Sequence, residues 1–414
     1  MPPVLASIGT VLIDAFDTLP RPVVDDVSPE YSTPTSPGVP QPPISSIPPP
    51  LFIPPSHLRL STSLSSPSAS APSGPSTPQL SLDDIPVPNA EEVYEMLGGG
   101  GLFALVGARI WLPPSQLRAL ANRAPPEEDD CPKDVEDRLN KLGEEMWVWN
   151  RGPGVKMTRA RIRYEGDVRY FQPIVKAPHW SLTEMCESPL RGSEYLHISP
   201  PYSPKDVFDL IEEQKASKGQ TWDPKIVFEP TPPSCHAGQR EWLEKILPHI
   251  HVLSPNHEEL FSFYDIPTMS VQSASLRPTV ERLVTFLIHD IGIGADGEGI
   301  IVIRCGSLGA CVGTKQGGLK WCPAYWDREN SKRVKDVTGA GNSFLGGYVA
   351  GLHLSDNPYE AVLYATVSSS YVVEQFGLPS LTGADASTGE EGWNFDQPSR
   401  RLRHLKKRLL AICN

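Results

Sequence analysis

Short apolar runs rich in Ile, Val and Leu alternate along this chain with longer stretches in which apolar residues recur every three or four positions. The runs are Val4 to Ile13, Tyr195-Leu196-His197-Ile198, Ile226-Val227-Phe228, Ile250-His251-Val252-Leu253 and Ile300-Ile301-Val302-Ile303. Uninterrupted apolar runs of this length predict strands buried on both faces. The periodic stretches predict helices near 205 to 216, 237 to 247 and 278 to 289, the second with Trp242, Leu243, Ile246 and Leu247 on one face. Strands alternating with helices predict an α/β fold with a mainly parallel sheet. Residues 145 to 174, where Trp147, Trp149, Ile162, Tyr164, Tyr170 and Phe171 alternate with polar residues, predict an antiparallel hairpin apart from that sheet, placed to cover a site.

Two segments break the pattern. Between Pro20 and Pro88 stand 19 of the 45 prolines and 15 serines. Such a stretch lacks backbone donors and cannot offset its ordering entropy by burial, so residues 20–88 are expected to be a disordered insertion within one domain spanning 1–414. The tail from Ser399 to Asn414 places Leu402, Leu405, Leu409 and Ile412 on one helical stripe among six Arg and Lys residues. That stripe is expected to dock the C-terminal helix on the parent domain, with 20–88 and 399–414 as the places where a protein partner would bind.

The formal net charge of -12 argues against a surface built for nucleic-acid backbone. Seven cysteines, at 131, 186, 235, 305, 311, 322 and 413, lack CxxC pairing, which points to reduced thiols, a cytoplasmic setting and no zinc site. No apolar run reaches the roughly 18 residues that a membrane span needs.

The richest chemistry lies at Lys335-Asp336-Val337-Thr338-Gly339-Ala340-Gly341-Asn342-Ser343-Phe344. A turn of small residues opening a helix leaves N–H groups unpaired at the positive end of the helix dipole, an arrangement that holds phosphate. Asn342 stands where a base would be wanted, and an amide cannot serve as one near neutral pH. A Rossmann oxidoreductase is disfavoured, because no Gly-x-Gly-x-x-Gly follows the first strand.

This stretch resembles the Asp-Thr-Thr-Gly-Ala-Gly-Asp-Thr-Phe signature of the PfkB family, the ribokinase-like sugar and nucleoside kinases. The resemblance implies a three-layer αβα fold with a small β-hairpin lid. It implies that Gly339, Ala340 and Gly341 form an anion hole for the transferred phosphoryl group, that Asn342 replaces the catalytic Asp, and that Asp336 lies near a monovalent cation. Asn256-His257-Glu258-Glu259 looks like the family's Asn-x-x-Glu, which implies that Asn256 and Glu259 organise Mg²⁺ and bound phosphates. Glu229-Pro230 occupies the place of the family's Asp-Pro strand end. Gly306 and Gly309 resemble the turn against the nucleotide, with Thr338 beside it, and Ala365 to Phe376 is similar to the helix on the adenine side.

Asp14, Gly99 and Gly100 are placed by the resemblance on the acceptor side. In the run Gly98 to Arg109, similar to Gly-Gly-x-x-x-Asn-x-Ala, Leu102 or Phe103 stands where the sugar-binding Asn would be. The departures resemble the fungal maintenance-of-killer branch of PfkB-like proteins. Two functions follow: ATP- and Mg²⁺-dependent phosphotransfer to a hydroxyl of a small polyol, sugar or nucleoside, slowed by the loss of the base, or a non-catalytic nucleotide-binding scaffold with the same fold.

Overall fold

A computed structural model describes residues 2–16, 94–165, 168–217 and 222–413, so the Pro/Ser-rich stretch expected at 20–88 lies outside the described residues. In chain order the strands are β1 Leu5–Ser7, β2 Leu12–Phe16, β3 Tyr94–Gly98, β4 Leu117–Asn122, β5 Trp147–Asn150, β6 Thr158–Glu165, β7 Val168–Val175, β8 Tyr195–Ile198, β9 Lys225–Phe228, β10 Val252–Leu253, β11 Ile300–Arg304, β12 Ala310–Thr314 and β13 Gly318–Cys322. A last pair, β14 Leu381–Ala384 and β15 Glu391–Trp393, forms a separate ribbon. The helices are α1 Gly100–Arg109, α2 Lys133–Leu142, α3 Leu182–Glu187, α4 Pro204–Ala216, α5 Ala237–Ile246, α6 His257–Phe263, α7 Leu276–Phe286, α8 Ala340–Ser355, α9 Pro358–Val372 and α10 Pro398–Cys413.

Nine strands make the central sheet, in the order β13-β12-β11-β10-β9-β8-β1-β4-β5. From β5 to β11 every pairing is parallel, and β12 and β13 close one edge as antiparallel strands. The apolar runs serve both faces. Ile300 and Val302 pack with Leu105, Leu345 and Val367 of α1, α8 and α9, whereas Ile301 and Ile303 pack with Ile211, Leu243 and Val280 of α4, α5 and α7. The result is the mainly parallel sheet that the alternation predicted, in the three-layer αβα arrangement that the resemblance implied.

Three local expectations need correction. The run Val4 to Ile13 is not one strand: β1 ends at Ser7, the chain turns through Gly9, and β2 pairs in a second, four-stranded sheet ordered β3-β2-β6-β7. Hydrophobicity continues across the break because both strands are buried, so composition does not mark it. The stretch 145 to 174 likewise divides: Trp147–Asn150 is the parallel edge strand β5 of the central sheet, and the antiparallel pair begins only at Thr158. The helix read at 365 to 376 starts earlier and ends earlier, with Asn357 capping Pro358 to Val372.

At the C-terminus, α10 lies against the domain through fully buried Leu405 and through Arg401, which is only 3% exposed. The Arg401 guanidinium stacks 3.7 Å from the Tyr371 ring and pairs with Glu374 at 2.9 Å and Asp396 at 3.0 Å. Arg408 donates to the carbonyls of Ala324 and Tyr325. Among the described residues no helix is long and apolar enough to cross a membrane.

Helices α1 and α8 cross with their backbones in contact. A Cβ on Gly107 would overlap the Ser343 carbonyl, and one on Gly346 would overlap the Ala104 carbonyl. Neither obstacle is the flexible end of a side chain, so the crossing requires glycine at both positions and fixes the first turn of α8 against the start of α1. Gly346→Ala should therefore lower stability by about 1–3 kcal/mol in a denaturant titration. Gly152→Ala, which would meet only Val155 at ordinary distance, is the control and should change little.

Candidate functional site

Five adjacent parallel strands each deliver a polar residue at their carboxyl ends: Ser7 from β1, His197 and Ser199 from β8, Glu229 after β9, Ser254 after β10, and Arg304 from β11. The carboxyl edge of an open parallel sheet is where ligands collect, since loops diverge there and helix N-termini point into the opening. Helices α1 and α8 both begin at this edge.

Glu229 is the hub. It is 2% exposed, and its Oε1 pairs with Arg304 Nη1 at 2.7 Å. Its Oε2 accepts from Asn342 Nδ2 at 2.9 Å and meets His197 Nε2 at 3.2 Å. Burial pushes this carboxyl up, yet the Arg304 charge and the bonds from His197 and Asn342 outweigh burial and hold it below the usual carboxylate range. Behind it, the Gly9 N–H donates to Ser7 Oγ at 3.2 Å, and Ser7 Oγ meets His197 Nδ1 at 3.0 Å. The tautomer with its proton on Nε2 satisfies every one of these groups, so we assign it. Ser7, His197 and Glu229 have the order of a hydrolytic triad. Their burial, at 2% exposure or less, makes them a brace for the carboxylate and not a nucleophile.

The glycine-rich turn stands above this hub and is partly exposed from Thr338 to Asn342. Gly339 takes the left-handed conformation, φ 75°, that L side chains avoid, and the first intrahelical bond runs from Ser343 N–H to Gly339 C=O. The N–H groups of Gly341 and Asn342 come before that bond and have no acceptor within the helix. A Cβ on Gly341 would overlap Arg304 Nη1, so the guanidinium lies directly against the turn. Its Nη2 donates to the Ser254 carbonyl at 3.0 Å and faces Glu259 Oε2 at 3.4 Å. Arg304 thus ties the 254–259 segment, the strand leading to Gly306 and the turn at 341 into one place.

The other expected residues take the following positions. Asn256 and Glu259 form a capping box at the start of α6, with Glu259 N–H donating to Asn256 Oδ1 at 2.8 Å and Asn256 N–H to Glu259 Oε2 at 2.7 Å. Gly306 and Gly309 make a tight turn after β11, both with positive φ, closed by Cys305 N–H to Gly309 C=O at 2.7 Å. Asp336 accepts the Thr338 N–H at 2.9 Å. Gly99 caps α1, while the Gly100 N–H donates to Thr10 Oγ1 at 3.0 Å, and a Cβ on Gly100 would sit 3.0 Å from Asn342 Nδ2. Asp14 lies on β2 with its carboxylate against Gly98. Of the two candidates on the acceptor side, Leu102 is fully buried, and the Phe103 ring packs under Gly339, where a Cβ would overlap it.

Sequence reasoning did not single out Arg304 or His197. The signal was a charged or imidazole side chain at the end of an otherwise apolar run, Ile300 to Ile303 in one case and Tyr195 to Ile198 in the other. Such residues are costly to bury unless paired.

The donor set does not fit a divalent cation held by protein carboxylates. Glu229 and Glu259 both face the Arg304 guanidinium, and no group of three or more His, Cys, Asp and Glu side chains with that capacity exists among the described residues. The two carboxylates respond differently to the same arginine, which is nearer to Glu229. Burial pushes Glu259 up to about 7, against a weaker pull from Arg304 and the Asn256 N–H. A raised carboxyl favours the folded state at low pH, so this contribution is complete below about 4.5 and is lost as pH rises to about 7. Gln at 259 keeps the helix cap without the charge. Glu259→Gln should lie within about 1 kcal/mol of the parent at pH 5 and exceed it by about 3 kcal/mol at pH 8, in urea titrations at both pH values. Parallel pH profiles would refute the assignment.

Known proteins resemble this chain in sequence and in fold. The profile of the pfkB family carbohydrate kinases matches residues 164–382, just over half of the chain. An uncharacterized protein of Schizosaccharomyces pombe is 29% identical over 333 residues, covering 76% of this chain and 87% of that protein. Protein MAK32 of Saccharomyces cerevisiae is 26% identical over 302 residues, covering 68% and 78%. Among solved structures, ribokinase from Cryptococcus neoformans, determined with ADP, superposes with a TM-score of 0.56 at 17% identity over 99% of this chain and 100% of that one. Adenosine kinase from Anopheles gambiae, determined with P1,P4-di(adenosine-5) tetraphosphate, gives 0.52 at 16% identity over 69% and 82%. The two structures establish a ribokinase-like fold, and the fold and the family profile together support a kinase-type function, with use of ATP and a divalent metal general to the family. The chain belongs to the pfkB family of carbohydrate kinases and has relatives of the MAK32 type.

Proposed function

We propose that this chain is an ATP-dependent phosphotransferase acting on a hydroxyl of a small polyol, sugar or nucleoside, slowed because Asn342 stands at the position of the base. The observation that carries the reading is the convergence of the Gly341 and Asn342 N–H groups with the Arg304 guanidinium at one point of the sheet edge. A transferring phosphoryl group placed there would have its equatorial oxygens against donors that are already oriented, which is the larger part of catalysis in such transfer. Asn342 Nδ2 is committed to Glu229, so Oδ1 is the atom that would accept a hydrogen bond from the acceptor hydroxyl. That bond orients the nucleophile but takes no proton, and general-base help of about 10²- to 10⁴-fold is forgone.

In this reading the second sheet, which carries Asp14 and Gly98, covers the acceptor, while Gly306 and Gly309 lie against the nucleotide. Glu259 acts by holding Arg304 and the start of α6. Asp336 orders the turn through the Thr338 N–H, and a cation role is not needed for that. The Mg²⁺ expected at Glu259 has no step here, because Arg304 stands between the two carboxylates. A second reading, nucleotide binding without transfer, is favoured by the apolar pair Leu102 and Phe103, one of which stands where the resemblance to the family expects a polar recognition group.

The Glu229–Asn342 pair decides the test. Asn342→Asp alone would set two carboxylates about 3 Å apart beneath the turn, and they cannot both ionise. It should lower the melting temperature at pH 8 and add little activity. Asn342→Asp combined with Glu229→Gln returns the charge to position 342 and should raise ADP formation, on a panel of polyols, sugars and nucleosides, by about 10²-fold. A double variant that still binds ADP but gains nothing would leave the non-catalytic reading in place.

A further inference from the structure

Resting on the reading that this site holds nucleotide phosphates, we propose that Arg304 takes the place of a divalent cation, so that the polyphosphate binds here without metal. Three observations carry this. First, the two carboxylates through which a hydrated cation would be held are both turned to one guanidinium, at 2.7 Å and 3.4 Å. A fixed positive charge on that spot repels a dication and removes its ligands together. Second, the guanidinium is not sealed in by its partners. Its side chain keeps 14% exposure, Nη1 lies against the Cα of Gly341 at the open first turn of α8, and the buried Nε has no acceptor among the described residues. A planar fork already held by Glu229 on one side is suited to bridge a phosphate on the other. Third, the arginine is positioned by backbone as well as by charge: its Nη2 donates to the Ser254 carbonyl, and its own N–H donates to the Pro255 carbonyl at 3.1 Å. The cation is therefore built into the chain, and the carboxylates neutralise it so that the site stays stable when empty of nucleotide.

The test is calorimetric titration of the full chain with ADP and with ATP, in buffer containing EDTA and in buffer containing Mg²⁺. The dissociation constants in the two buffers should agree within about threefold, and Mg²⁺ alone should give no binding heat. Arg304→Gln should weaken ADP binding at least about tenfold in EDTA and recover on addition of Mg²⁺, because Glu229 and Glu259 are then free to hold it. If that variant does not fold, since it leaves Glu229 buried without its partner, Arg304→Gln with Glu229→Gln removes both charges and carries the same expectation in EDTA. Parent binding that weakens more than about tenfold in EDTA, or an Arg304 variant that binds ADP in EDTA as well as the parent, would overturn the inference while leaving the proposed function intact. Absence of nucleotide binding in both buffers would overturn the proposed function, and this inference with it.

Discussion

A carboxylate with 2% of its surface exposed, at the end of the ninth strand, would be untenable alone, and the Arg304–Glu229 ion pair is what permits it. Removing one partner of such a buried pair typically costs about 3–5 kcal/mol, because the other is left charged in a poor solvent. Around this pair the remaining polar groups find their places. His197 and Asn342 donate to the second oxygen, Ser7 and the Gly9 amide stand behind the imidazole, and Ser254 and Glu259 hold the far side of the guanidinium. Six segments of the chain meet through one pair of opposite charges.

The position of the pair depends on close packing some distance away. Arg304 meets the glycine-rich turn only because α8 starts where it does, and α8 starts there because Gly107 and Gly346 let its backbone touch that of α1. The same crossing brings Gly100 beside Asn342 and Phe103 beneath Gly339. A side chain added at the crossing would act at the site through the helix and not through any direct contact.

Asn342 has a local reason in this setting. A carboxylate in its place would face Glu229 at hydrogen-bond distance, whereas the amide donates to it. The Glu229–Asn342 pair therefore carries a single negative charge, and Arg304 matches it.

The sequence by itself determined the class of fold and the place of the glycine-rich turn. A continuous run rich in β-branched residues such as Ile300 to Ile303 favours a strand covered on both faces, and Thr338-Gly339-Ala340-Gly341 before a helical pattern favours a turn that frees backbone donors. These are local properties, set by side-chain periodicity and by where glycine permits a positive φ. The division of Val4 to Ile13 between two sheets, the membership of Trp147–Asn150 in the central sheet, and the meeting of Arg304 with Glu229 were decided by tertiary structure. In each case burial looks the same from within the segment. The outcome is set by partners elsewhere in the chain: Trp147–Asn150 pairs with Ala119–Asn122, 28 positions earlier, and Glu229 stands 75 residues before Arg304 and 113 before Asn342. A charge at the end of an apolar strand announces that it must be paired; only the packed sheet determines with what.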